Sequence, residues 1–273
     1  MSALPTHEMQ AKQMPTMHAL FDLRGQVALV TGATRGIGLA VARALGAAGA
    51  AIVISSENAA DCEAVARQLR ADGLDARGIA CDASSEAQVD ALAEQAQAWR
   101  GRIDVLVCNA GIAPHLGPLA SASAADYDAT LTVNLRSALW LTSRVIPGMA
   151  ERRAGSVILM ASIASVRGNK AIGLYSLSKA ALVALARNLA VEWGPSGVRV
   201  NAISPGMVRT EFARPLMDDA DRLQKRTALT PLRRVAEPHE IAGAALFLAS
   251  PAGAFTTGHN LVVDGGTTIG DGN

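Results

Sequence analysis

From Phe21 onward, short β-branched runs alternate with longer Ala- and Leu-rich segments. Strands separated by helices produce this rhythm, and it predicts a parallel sheet covered on both faces. Seven strands are expected, at 27–30, 51–55, 77–81, 103–108, 156–160, 198–203 and 260–263. Helices fit between them near 37–48, 59–72, 86–100, 126–150, 175–193 and 238–249. No internal repeat or linker interrupts the pattern, so residues 21–273 read as one α/β domain: a doubly wound, seven-stranded parallel sheet with helices on both faces.

Two segments depart from the rhythm. Residues 207–235 mix prolines, charges and bulky apolar side chains without a clear period, as binding loops and lids do. Residues 175–193 carry apolar side chains on nearly every face, among them Ala181, Leu182, Val183, Leu185, Ala186 and Leu189. A helix of this kind must be covered on both sides. The sheet can supply one cover and a second copy of the chain the other, so a symmetric oligomer is expected.

Composition narrows the partners. The 273 residues are 50% hydrophobic but only 3% aromatic, so the core must be built from Ala, Val, Leu and Ile. The charges nearly cancel, 25 basic against 24 acidic, which leaves no footprint for nucleic acid or an anionic membrane. Small molecules and copies of the chain are the expected partners. Cys62, Cys81 and Cys108 show no metal-ligand spacing, and their odd number argues against a disulfide framework. A reducing, cytoplasmic setting fits best. No apolar run approaches the ~18 residues of a membrane span, and the first 20 residues, which lack the apolar stretch of a secretory signal, read as a loosely ordered extension.

Candidate chemistry begins at the first strand. It runs into "TGATRGIG", with Gly32, Gly36 and Gly38 opening a helix. A tight turn without side chains lets backbone N–H groups and a helix N-terminus face an anionic pyrophosphate. The strand before it and the helix after it turn a weak glycine motif into a dinucleotide signal.

A second constellation lies in "GLYSLSKAAL". Tyr175 and Lys179 stand four apart and so share a helix face. A free phenol, with a pKa of about 10, is a poor base at neutral pH. A cation ~5 Å away at an effective dielectric of ~20 favours phenolate by roughly 3 kcal/mol, which predicts a pKa about two units lower. Spacing alone leaves a surface pair open. Ser162, just past the strand at 156–160, adds a hydroxyl at the carboxyl edge of the sheet, where open α/β folds bind ligands.

The spacing Gly-x-x-x-Gly-x-Gly resembles that of the short-chain dehydrogenase/reductase family. The resemblance covers residues 21 to about 268 and recurs in order through "CNAG" at 108, Asn134 in "TVNL", Ser162, the Tyr175/Lys179 pair, "NAISPG" at 201 and "TGHNLVVDGG" at 257. It implies a Rossmann-like fold and hydride transfer between nicotinamide C4 and a carbonyl or secondary-alcohol carbon. Ser162 would orient the substrate, Tyr175 would be the acid/base, Lys179 would lower its pKa and hold the nicotinamide ribose, and Asn134 would hold a water linking the lysine to solvent. Cofactor contacts would come from the glycine loop (Gly32, Thr34, Arg35, Gly36, Ile37 and Gly38), from Asn109, Ala110 and Gly111, and from Pro205, Gly206, Val208 and Thr210. Asp82 reads as the adenine contact or as a cap of the following helix. Similar chains are often 3-oxoacyl reductases and tetramers. Enoyl-reducing relatives place the lysine farther from the tyrosine. The competing class, an idle dinucleotide-binding sensor or scaffold, would be expected to lack the Ser/Tyr/Lys set.

The second strand ends "ISSEN", where cofactor choice is decided at the adenosine ribose. Ser55, Ser56 and Arg35 favour NADP(H), while Glu57 pulls toward NAD(H). Leu116, Ile172, Leu174, Met207, Phe212 and Met217 suggest a largely apolar substrate pocket, with His115 a loop residue or a second acid/base. A small carbonyl or alcohol is expected, its identity unreadable.

Overall fold

The structure is a computed structural model that describes residues 16–270. Its centre is a seven-stranded, all-parallel sheet in the order β3-β2-β1-β4-β5-β6-β7. The strands are β1 (Val27–Thr31), β2 (Ala51–Ser56), β3 (Ala76–Ala80), β4 (Val105–Cys108), β5 (Gly155–Met160), β6 (Val198–Pro205) and β7 (Asn260–Val263). All seven fall where the hydrophobic pattern puts them. The long helices are α2 (Gly36–Ala47), α3 (Ala59–Ala71), α4 (Glu86–Arg100), α5 (Ala124–Leu131), α6 (Ser137–Glu151), α7 (Gly173–Trp193) and α10 (Pro238–Ala249). Three shorter ones are α1 (Met17–Leu20), α8 (Arg214–Met217) and α9 (Ala220–Ala228).

Alternation along the strands divides the core in two. Leu29, Leu106, Val157 and Val200 face one way and pack with Leu92 of α4, Val145 of α6 and Leu182 of α7. Val30, Ile54, Val107 and Ile203 face the other way and pack with Leu45 of α2, Leu69 of α3 and Leu248 of α10. The strand order reverses between β1 and β4, and in such sheets the crevice beyond the strand ends at that point is the ligand site.

Four expectations change. Most of the N-terminal extension, 1–15, lies outside the described residues, but Met17–Leu20 form a short helix capped by Thr16, whose hydroxyl accepts from Ala19 N–H. The helix expected over 126–150 is broken by a π-helical turn at Thr132–Arg136, which separates α5 from α6. The segment 207–235 contains α8 and α9. Its sequence gave no helical period because α9, "ADRLQKRTA", has a single large apolar residue, and its start is fixed instead by the Asp219 carboxylate, which accepts from Arg222 N–H. Finally, α7 and the turn after it, Gly173–Ser196, are long and apolar enough by composition to cross a membrane, with a mean hydropathy of 1.2. The helix instead packs on β6 and β5 and buries Leu182, Val183, Ala186 and Leu189 in the core.

Candidate active site

A cleft of about 780 Å³ runs along the carboxyl ends of the strands. Its floor is built by Thr31, the last residue of β1. The Thr31 hydroxyl accepts from the N–H groups of Asn109 (3.0 Å) and Ala110 (3.2 Å). The Asn109 amide donates in turn to the carbonyls of Thr31 (3.0 Å) and Gly32 (2.9 Å). These bonds tie the ends of β1 and β4 together and hold the glycine loop. Gly32 and Gly36 occupy the left-handed region at φ +59° and +56°. A Cβ on Gly38 would lie 2.2 Å from the Gly32 carbonyl oxygen, so only glycine fits there.

The chemistry-bearing side chains converge at the other end. Ser162 follows β5, and its Oγ accepts from Ala164 N–H at 3.1 Å, so the hydroxyl keeps its own proton to donate within the cleft. Tyr175, in the first turn of α7, meets the Ser162 hydroxyl in a polar contact. One helical turn on, Lys179 is 3% exposed; its Nζ donates to the Met160 carbonyl at 2.8 Å and stands 5.5 Å from the Tyr175 ring centre. Asn134 is buried in the π-helical turn. Its Oδ1 accepts from Ile112 N–H (2.7 Å), and its amide donates to the Ile112 carbonyl and the Ser178 hydroxyl, both at 2.9 Å.

The pKa expectation for the tyrosine is corrected. Withdrawal from water pushes Tyr175 up to about 12, and the Ser162 contact offsets only part of this. Burial also lowers Lys179 to about 8. The expectation counted the lysine's field and left out desolvation, which disfavours the phenolate and the ammonium alike and is the larger effect on Tyr175. Cys108, behind the lysine, is pushed up to about 12 by burial and stays a neutral thiol.

The comparisons with known proteins agree with this geometry. A family model described as enoyl-(acyl carrier protein) reductase matches residues 32–268. D-threitol dehydrogenase of Mycolicibacterium smegmatis is 44% identical over 251 residues, 91% of this chain and 95% of that protein. Dehydrogenase/reductase SDR family member 4 of Bos taurus is 37% identical over 245 residues, 90% of this chain and 88% of the relative. This chain belongs to the short-chain dehydrogenase/reductase family. Among solved structures, a gluconate 5-dehydrogenase from Burkholderia cenocepacia in complex with NADP and tartrate superposes with a TM-score of 0.89 at 37% identity, covering 92% of this chain and 98% of that one.

Short-chain dehydrogenase/reductases work with a nicotinamide dinucleotide, and the cleft has features that fit one. No side chain caps the first turn of α2, so its N–H groups are left for an anion. Ser55, at the end of β2, lines the cleft, and its buried Oγ has no hydrogen-bond partner among the described residues. Thr34, Arg35, Gly36, Ile37, Ser56, Asp82, Gly111, Pro205, Gly206, Val208 and Thr210 line the same cleft. Glycine at 36 lets the loop approach Thr210, whose methyl would lie 3.2 Å from an added Cβ.

Several details were not legible beforehand. Asp82 accepts from the N–H and hydroxyl of Ser84, both at 2.8 Å, while Ser85 caps α4, so the aspartate shapes the turn before the helix. Arg35 lies between two carboxylates, Glu57 at 3.8 Å and Glu211 at 3.6 Å. Ser56 donates to Glu57 at 2.6 Å. Phe212 reaches from the 207–235 segment to within 5.9 Å of the Tyr175 ring centre. His115 pairs with Ser121 at 3.0 Å and is absent from the cleft lining, which fits a loop residue. Sequence reasoning overlooked Thr31, Ser178, Arg167 and Arg226. A polar residue ending the apolar run of β1 was a usable signal for Thr31; the others carried none.

Proposed function

We propose that this oxidoreductase transfers hydride between a nicotinamide cofactor and a carbonyl or secondary-alcohol carbon, with Tyr175 as the acid/base. The observation that carries the reading is the convergence of two hydroxyls, Ser162 and Tyr175, beside a buried lysine at the mouth of a dinucleotide-sized cleft. A bound nicotinamide supplies or accepts the hydride at its C4. In reduction both hydroxyls donate to the carbonyl oxygen; Tyr175 gives up its proton as the carbon gains hydride, and the C=O bond becomes CH–OH. Oxidation is the reverse, with the phenolate taking the alcohol proton. The Lys179 ammonium favours the phenolate form and helps hold the nicotinamide ribose. Asn134 acts as a positioning residue, since its side chain is committed to Ile112 and Ser178; any water it holds toward Lys179 would bind its main chain.

Two donors on one oxygen suit a carbonyl better than a carbon–carbon double bond, which supports ketone reduction or alcohol oxidation over enoyl reduction. Relatives named for threitol and for 2-dehydro-3-deoxy-D-gluconate support a small polyhydroxylated substrate. NADP(H) is the favoured cofactor, supported by Arg35, by the two serines ending β2 and by neighbours solved with NADP. The residues 207–235 serve as a lid that brings Phe212 over the reacting end. The working form is a homotetramer, and three unpaired cysteines suit the cytoplasm.

Replacing Tyr175 with Phe tests the reading. Cofactor binding, followed by fluorescence, should stay near that of the parent, and turnover should fall by at least ~10²-fold. Parental turnover in the variant would overturn the acid/base assignment. An idle sensor would show no turnover in either protein.

A further inference from the structure

Two arginines reach the cleft at its lid end. Arg167 follows Ser162 by five residues in the loop between β5 and α7, and Arg226 projects from α9; both line the cleft that holds Tyr175. Among the described residues neither guanidinium has a carboxylate within 4.0 Å, although most of the other charges in 207–235 are paired: Arg209, Glu211, Arg214, Asp218, Asp219, Arg222 and Arg234. Nearby Arg222 is satisfied by Asp219 at 3.5 Å, and Arg214 by Asp218 at 3.8 Å. The acids lining the cleft are Glu57, Asp82 and Glu211. The first two lie past β2 and β3, and Glu211 faces Arg35. Arg226 is half-buried, and its ionisation is disfavoured first by burial and then by the charges of Arg167 and Arg222. Two like charges beside one another in a partly dry cleft raise the energy of the unliganded protein and are relieved by an anion.

Resting on the hydride-transfer reading, we propose that Arg167 and Arg226 form an anion-recognition site that selects an alcohol or ketone substrate carrying a carboxylate or phosphate. The cofactor's own phosphates do not explain the pair. The pyrophosphate position is the first turn of α2, and the ribose end is set by β2, which stands three strands from β5 in the sheet, roughly 14 Å at ordinary strand spacing. Arginine forks bind carboxylate and phosphate through paired hydrogen bonds. The Asn169 amide lines the same wall and adds a donor. Ile172, Met207, Phe212 and Leu216 complete an apolar surround that strengthens a charge contact made inside it.

The test compares matched probes: threitol against tartrate, and glucitol against gluconate and glucitol 6-phosphate, each followed by cofactor absorbance with the parent, Arg226→Gln, Arg167→Gln and the double variant. At least one anionic member should exceed its neutral counterpart in kcat/KM by tenfold or more. The double variant should raise KM for that anion by 10- to 100-fold, with a far smaller change for the neutral probe and in NADP(H) affinity, and Arg226→Lys should recover part of the loss. The carboxylate and phosphate arms tell which anion is read. Neutral probes turned over as well as anionic ones, or an anion KM indifferent to the double variant, would overturn the assignment while leaving hydride transfer standing. Absence of any Tyr175-dependent turnover with every probe would overturn both.

Discussion

Lys179 shows how a single buried cation can serve chemistry at the expense of stability. Its pKa falls from 10.5 to about 8 because the folded protein withholds water from the ammonium. A shift of that size is roughly 3 kcal/mol of differential interaction against the charged form. Because the folded value lies below the unfolded one, the unfolded chain binds more protons between pH 8 and about 10.5, and this group makes the fold gain stability as pH rises through that window. Lys179→Met should therefore cut turnover by ~10²-fold or more while leaving the unfolding midpoint equal or higher, and should erase that part of the pH dependence in thermal scans. A midpoint several degrees lower would mean that the bond to Met160 outweighs the burial cost. Glu57 opposes the proposed choice of NADP(H). It accepts from Ser56 and faces Arg35, so a phosphate on the adenosine ribose would have to displace it. Glu57→Gln should lower KM for NADPH several-fold with little change for NADH, and the KM ratio of the two cofactors checks this directly.

At the scale of elements, the glycine loop and the strands that flank it explain why so much was readable. A strand buried on both faces writes itself as an apolar run, and a loop that must bring backbone to a phosphate writes itself as glycine, so β1, the loop and α2 stood out together. The π-helical turn at Thr132–Arg136 left no such mark, because it depends on Asn134 reaching across to Ile112 and Ser178. Nor did the arginines of the cleft, since a charge on a polar helix such as α9 looks the same whether it faces solvent or substrate. The tyrosine–lysine pair was legible as a pair, but its electrostatics was not, because desolvation is a property of the surroundings that α7 and β5 create together. Gly38→Ala gives this level a direct test. The new methyl would meet the Gly32 backbone carbonyl at 2.2 Å and the Asn109 amide at 2.6 Å, a side chain already held by the carbonyls of Thr31 and Gly32. Overpacking of this kind costs about 1–3 kcal/mol. The variant should unfold several degrees earlier and lose cofactor affinity by tenfold or more, measured by thermal melting and fluorescence titration.

For the whole molecule, the outer face of α7 remains to be covered. Leu177 is 54% and Val191 81% exposed, and between them Ala181, Ala184 and Asn188 complete a stripe at spacings of four and three. Such a stripe is the pattern of a helix that packs on another helix, and its alanines permit close approach. Leu139 of α6 and Tyr127 of α5 are exposed as well, so apolar area is available beyond α7 itself. A two-fold axis beside this helix would set the stripe against its own copy, satisfying a self-complementary contact without any second partner. Two glutamates introduced there, Leu177→Glu with Val191→Glu, would place like charges opposite one another in a dry contact, at a cost that surface substitutions do not ordinarily incur. Sedimentation velocity at micromolar concentration should find the parent as an oligomer and the double variant as a smaller species. Activity serves as a second readout because α7 also carries Tyr175 and Lys179, and an unsupported helix should hold them less firmly. A parent that sediments as a monomer under those conditions would show that the face is left to water, and the all-round apolar character of the helix would then need a cause other than self-association.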